Sequence, residues 1–76
     1  MRSATVRQLQ IFSVAASHLS FARAAEKLHL THAAISLQIK QLEDHLNVRL
    51  LDRGHGKITL TSAGELVLAY AEQILD

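Results

Sequence analysis

FARAAEKLHLTHAAISLQIKQLE, residues 21–43, decides the fold. It reads as two short amphipathic helices joined by a three-residue turn, His29-Leu30-Thr31. Ala24, Ala25 and Leu28 share one side of the first helix, and Ala25 is small enough to let two helices cross closely. Leu30 drops in from the turn. Ile35, Ile39, Leu42 and Leu46 then follow at spacings of four, three and four, a single helical stripe. Ala33, Ser36, Leu37 and Lys40 lie between them and, at about 100° per residue, point away from it. Leu37 is nearly opposite the stripe, where it has no core to fill but would suit a thymine methyl. A second helix with a face left over is the helix-turn-helix plan, in which that helix lies in the DNA major groove.

The flanking chain extends this plan. A preceding helix is expected over about residues 5–17, with Thr5 or Ser3 as N-cap and Val6, Leu9, Phe12 and Ala16 facing inward. Ser20 caps the second helix, which runs to about Leu28. His29 stands where a left-handed glycine is common, so some strain or a different turn is implied. Thr31 caps the third helix, about residues 32–46, and Asn47 can close it in the left-handed conformation. Two short β-capable runs, residues 49–53 and 57–60, flank Gly54-His55-Gly56 and read as a hairpin. Ile58 and Leu60 would face the domain, with Lys57, Thr59 and Thr61 toward solvent. A hairpin directly after a recognition helix is a wing.

Thr61 caps a fourth helix from about Ser62 onward. Its apolar residues cover more than one face, which a surface helix with one stripe does not need. Val67, Tyr70 and Ile74 are assigned to the domain, and Leu68, Ala71 and Leu75 to a second chain. The helical pattern runs to the last residue without a cap, so the chain is expected to be the N-terminal part of a longer protein. The fold class is thus mainly α: a winged helix-turn-helix over residues 1–60, then a dimerisation linker helix over residues 61–76.

Seventy-six residues make one small domain, which buries roughly 60–65% of its unfolded surface. The 49% hydrophobic content supplies a core with some to spare for a partner. No cysteine means no disulfide framework, thiolate zinc site or cysteine nucleophile. No apolar run approaches the ~20 residues of a membrane span, and the N-terminus lacks a signal-peptide core. A soluble, cytoplasmic protein with no membrane partner is expected. Net charge is only +1, but it is unevenly placed. Residues 1–40 set Arg2, Arg7, Arg23, Lys27 and Lys40 against Glu26, net +4. Residues 41–76 set Arg49, Arg53 and Lys57 against six carboxylates, net −3. A basic end toward DNA and an acidic end away from it is the polarity a DNA-binding domain needs.

The candidate DNA contacts follow. Ser36 has a hydroxyl for a phosphate or base, and His32, in the first turn, can donate to guanine or accept from an adenine amine according to tautomer. Amides at that helix start, beside Thr31, favour a phosphate. Ala33 and Leu37 are apolar contacts and Lys40 a phosphate contact. Arg53 and Lys57 flank the wing tip at His55, placed for backbone or minor groove; a salt bridge of Arg53 with Asp52 or Glu65 is the structural alternative. Arg23 and Lys27 share a side of the second helix, within reach of phosphate or simply solvated. His29 and His32 are three apart but across a turn, with no completing ligand, so no metal site is expected. Ser, His and Asp all occur without a nucleophile elbow or pocket, so no catalytic site is expected either. Two other readings use the same surfaces: a winged-helix module docking protein through Ala33 and Leu37, and a pure dimerisation element acting through the fourth helix.

The chain resembles the N-terminal DNA-binding domain of LysR-type transcriptional regulators. The matching words are Arg7-Gln8-Leu9 before Phe12, Ser20-Phe21 with Arg23-Ala24-Ala25, Leu28-His29-Leu30-Thr31 and Ala34-Ile35-Ser36. They continue with Gln38 through Glu43, Leu50 through Arg53, Leu60-Thr61 and Ala63-Gly64. A lesser likeness, through QLQIF, LHLT and ITLT, is to the regulators of carbon-fixation (RuBisCO) operons. The resemblance implies a bacterial regulator that binds double-stranded promoter DNA at an inverted repeat in the nucleoid. It implies a homodimer through the fourth helix, a tetramer of the whole protein, no cofactor in this part, and a C-terminal domain that senses a small-molecule effector. Three positions depart from the family pattern. His32-Ala33 stands for the usual Gln-Pro, Leu37 for a common arginine or methionine, and Leu51 for the usual phenylalanine. The first two change the reading face, hence the base preference.

Overall fold

The computed structural model describes residues 6–75, with only the backbone of His55. Its elements are α1 (Val6–His18), α2 (Phe21–Leu28), α3 (His32–Leu46), β1 (Leu51–Asp52), β2 (Thr59–Leu60) and α4 (Ser62–Leu75). A 3-10 turn, Gly54–Gly56, joins the two strands. The expected caps Thr5 and Ser3 lie outside the described residues.

The helix boundaries follow from local chemistry. Ser20 Oγ accepts from the Arg23 amide at 3.1 Å, and Thr31 Oγ1 from the Ala34 amide at 3.0 Å. Each satisfies an amide with no partner inside its own helix. The three ends that follow α1, α2 and α3 are each turned by a left-handed residue that is not glycine: Leu19 (φ 49°), His29 (φ 57°) and Asn47 (φ 56°). His29 takes the left-handed geometry despite its Cβ, and its amide closes the helix on the Ala25 carbonyl. The implied strain is present, and the turn type is the usual one.

Ile11, Phe12, Ala15, Ala16, Phe21, Ala24, Ile35, Ile39, Leu42, Leu50 and Leu51 form the core. The α3 stripe seats as expected at Ile35, Ile39 and Leu42, but Leu46 is 42% exposed, so the stripe ends one turn early. On α1 the inward residues are Ile11, Phe12, Ala15 and Ala16, whereas Val6 is 57% exposed. Ala24, rather than Ala25, is the fully buried alanine of α2. Among the described residues, one polar side chain joins the interior: Gln8 Nε2 donates to Gln38 Oε1 at 3.2 Å and Gln41 Oε1 at 3.3 Å, tying α1 to the flank of α3.

The wing is a two-stranded antiparallel ladder, Leu51 opposite Leu60 and Asp52 opposite Thr59. Leu50 and Leu51 drop into the core while Ile58 and Leu60 cover it. Glu43, near the end of α3, fastens the incoming chain: one carboxylate oxygen accepts the Leu50 amide at 2.8 Å and the Leu51 amide at 3.2 Å. Thr61 works twice, its hydroxyl donating to the Arg49 carbonyl at 2.6 Å and accepting the Gly64 amide at 2.9 Å. Gly64 is required by space. A Cβ there would overlap the Leu50 carbonyl oxygen, so only glycine lets α4 lie this close to the wing.

That close approach settles how α4 is rotated and corrects the sequence expectation. Ala71 is fully buried, and Val67 and Leu68 are half-buried against the core. Leu66, Tyr70 and Ile74 are 57%, 57% and 61% exposed and form one outward stripe at i, i+4 and i+8. Tyr70 and Ile74 therefore do not face the domain, and Ala71 cannot face a second chain. Leu68 leans inward, and Leu75 is half-buried. The two fully buried residues of the inward face, Gly64 and Ala71, are small, and at Gly64 the helix touches the Leu50 backbone.

Candidate nucleic-acid interface

With Ile35, Ile39 and Leu42 seated, the opposite flank of α3 is bare. His32, Ala33, Leu37 and Lys40 are exposed, and Leu37 keeps 53% of its surface in solvent. An aliphatic side chain displayed this way has no internal packing role. Ser36 lies beside them, half-buried at the edge toward the wing. Thr31, as N-cap, leaves the amides of the first turn of α3 pointing outward at the same end.

Exposed cations lie on α3, on α2 and on the wing. Lys40 meets Asp44 at 3.9 Å one turn on, but both side chains are about 70% exposed (73% and 69%), so solvent screens the pair and Lys40 can leave it at little cost. Arg23 and Lys27 are exposed on α2. Lys57 is exposed on the wing, next to a concavity of about 620 Å³ that Phe21, His32, Arg53 and Thr59 also line.

Arg53 departs from the salt-bridge alternative offered by the sequence. It forms no ion pair with Asp52 or Glu65; instead its guanidinium reaches back from the wing to α3. Nη2 donates to Ser36 Oγ at 2.8 Å, and the guanidinium carbon lies 4.4 Å from the centre of the Phe21 ring. The His32 imidazole meets the same ring, centroid to centroid 5.4 Å at 48°. Phe21 is thus a platform on which the start of α3, its second turn and the wing converge, and sequence reasoning did not single it out. An aromatic at the first position of a helix two residues after Leu19 reads as ordinary core, and Phe21 is indeed 3% exposed. The structure therefore brings together His32, Ser36 and Arg53, keeps Ala33, Leu37 and Lys40 on the same open flank, and leaves Arg23 on a separate helix. Nothing is described of the His55 side chain. Among the described residues, no three of His, Asp and Glu converge as metal ligands do, and no helix is long and apolar enough to cross a membrane.

Comparison with known proteins fits this geometry. Residues 6–65 match the bacterial regulatory helix-turn-helix proteins of the lysR family. The HTH-type transcriptional regulator CfxR of Cupriavidus necator is 51% identical over 75 residues, which are 99% of this chain and 24% of that protein. The RuBisCO operon transcriptional regulator of Acidithiobacillus ferrooxidans is 49% identical over 76 residues, all of this chain and 25% of that protein. The chain thus spans about a quarter of the length of these curated relatives, which are transcriptional regulators rather than enzymes. Among solved structures, the CbnR_DBD–DNA complex superposes with a TM-score of 0.88 at 41% identity, over 93% of this chain and 82% of that one. With the four helices, the short antiparallel wing and the match over residues 6–65 all in agreement, this chain belongs to the LysR family of bacterial regulatory helix-turn-helix proteins.

Proposed function

We propose that this chain is the sequence-reading, DNA-binding part of a bacterial transcriptional regulator. In this reading α3 enters the major groove, with His32, Ala33, Ser36, Leu37 and Lys40 toward the duplex. The amides beside Thr31, together with Arg23 and Lys57, meet phosphates, and the wing lies along the backbone or minor groove. The observation that carries the reading is the open flank of α3, where Leu37 is 53% exposed opposite a fully seated stripe.

A two-fold dimer supplies the rest. Leu66, Tyr70 and Ile74 present an apolar stripe that none of the described residues covers, and pairing two copies of α4 would bury it. A symmetric dimer reads an inverted repeat, one α3 per half-site. The remaining three quarters of the relatives' length is where we place effector sensing and assembly into tetramers. Such a regulator works in the cytoplasm, at the nucleoid.

The test is titration onto duplexes carrying inverted repeats, starting with the promoters of RuBisCO operons because of the likeness to the Acidithiobacillus ferrooxidans regulator. Binding should weaken steeply with salt and should discriminate among sequences. Failure to bind any duplex at low salt would reject the reading and leave the Ala33/Leu37 surface as a protein-docking patch.

A further inference from the structure

The contact between Arg53 and Ser36 has a direction fixed by chemistry. Arginine has five N–H donors and no acceptor, and a serine hydroxyl has one proton and two lone pairs. In their 2.8 Å bond, therefore, Ser36 Oγ must be the acceptor, whatever the placement of hydrogens. One lone pair is committed and the hydroxyl proton is left over. The guanidinium, held against Phe21 at 4.4 Å, also puts a fixed positive charge beside that oxygen. The charge polarises the O–H toward donation and repels a second donor approaching the remaining lone pair.

We infer that Arg53 governs base choice through Ser36: held on Phe21, it turns an ambivalent hydroxyl into a donor. Resting on the reading that α3 enters the major groove, this gives Ser36 a stated specificity. It takes acceptor edges, such as N7 of a purine, O6 of guanine or O4 of thymine, and disfavours cytosine, whose major-groove edge offers only its N4 amine. Arg53 is then a positioning residue as well as a cation. Its place on the wing makes the wing part of the reading apparatus of α3.

Selection from a pool with randomised half-sites, using the whole protein, tests this with wild type, Ser36→Ala, Arg53→Ala and the double variant. Ser36→Ala should relax the preference at one base position by about 3- to 10-fold, the range of one hydrogen bond. Arg53→Ala should relax the same position by a similar factor and admit cytosine, and the double variant should do no more than either single change. If Arg53→Ala weakens every sequence equally and lowers the salt slope by about one while preference stays intact, Arg53 is a phosphate contact only and the inference falls. Unaltered preference in Ser36→Ala overturns it as well. If wild type enriches no sequence at all, the DNA-reading function itself fails, and that result is distinct from either of the other two.

Discussion

α3 and α4 are nearly the same length, 15 and 14 residues, and each lies on the core by one flank, yet they show the outside opposite surfaces. The open flank of α3 is small and mixed: alanine, serine, histidine, lysine and one leucine. That of α4 is a stripe of Leu66, Tyr70 and Ile74. A mixed flank that carries Lys40, beside a wing that carries Arg53 and Lys57, suits a polyanion with hydrogen-bonding edges, while a continuous apolar stripe suits another protein surface. The two helices also differ in what seats them. α3 is held by bulk, through Ile35, Ile39 and Leu42, whereas α4 is held by the absence of bulk at Gly64 and Ala71.

The sharpest way to break this contrast is to put charge on each side of α4. Ala71→Glu buries an unpaired carboxylate and should cost about 3–5 kcal/mol, enough to unfold a small domain. Tyr70→Glu, one residue away, should leave the folded monomer within about 0.5 kcal/mol. It should also shift sedimentation toward the monomer at concentrations where wild type self-associates. Loss of fold in both variants, or in neither, would mean that α4 is rotated differently. Gly64→Ala comes next. The methyl must displace either the Leu50 backbone or the helix, so a loss of about 2–3 kcal/mol is expected, read as a fall of roughly 10–20 °C in Tm. A tolerated alanine would show that α4 does not rest on the wing.

The same contrast explains what the sequence discloses. α3 was legible because its large apolar residues form one stripe with polar residues between them, so periodicity separates inside from outside. The caps Ser20 and Thr31 and the left-handed Asn47 were legible for a local reason, since each acts within four residues of its own backbone. α4 was misassigned because it is apolar nearly all round, and a periodicity argument has no contrast to work with. Its true inward face includes a close approach of two backbones at Gly64, a tertiary fact that marks the sequence only as one glycine. The link between Arg53, Phe21 and Ser36 was hidden for a similar reason. It spans 17 residues between Arg53 and Ser36, and it depends on the angle at which the wing returns to α3.

On the α3 side the effects should be smaller for stability and larger for recognition. Leu37→Arg replaces a half-exposed side chain and should change folding stability by no more than about 0.5 kcal/mol. It should nonetheless change which sequence is preferred, because a guanidinium recognises guanine where a leucine would meet a thymine methyl. A large fall in Tm would place Leu37 in the interior and remove the basis for a reading flank.

The smallest expected change is at Lys40. Its exposed pair with Asp44 is worth at most about 0.5 kcal/mol, so Lys40→Ala should melt almost as wild type does. If Lys40 instead neutralises a phosphate when DNA is bound, the dependence of log affinity on log salt should become shallower by about one unit, equally for preferred and unrelated duplexes. Asp44→Asn serves as the control, because it releases Lys40 from its only ion pair among the described residues without removing the cation. Binding should then be unchanged or slightly tighter at low salt. If Lys40→Ala leaves the slope untouched, the duplex does not reach the third turn of α3, and the reading surface shrinks to the end where His32, Ser36 and Arg53 meet.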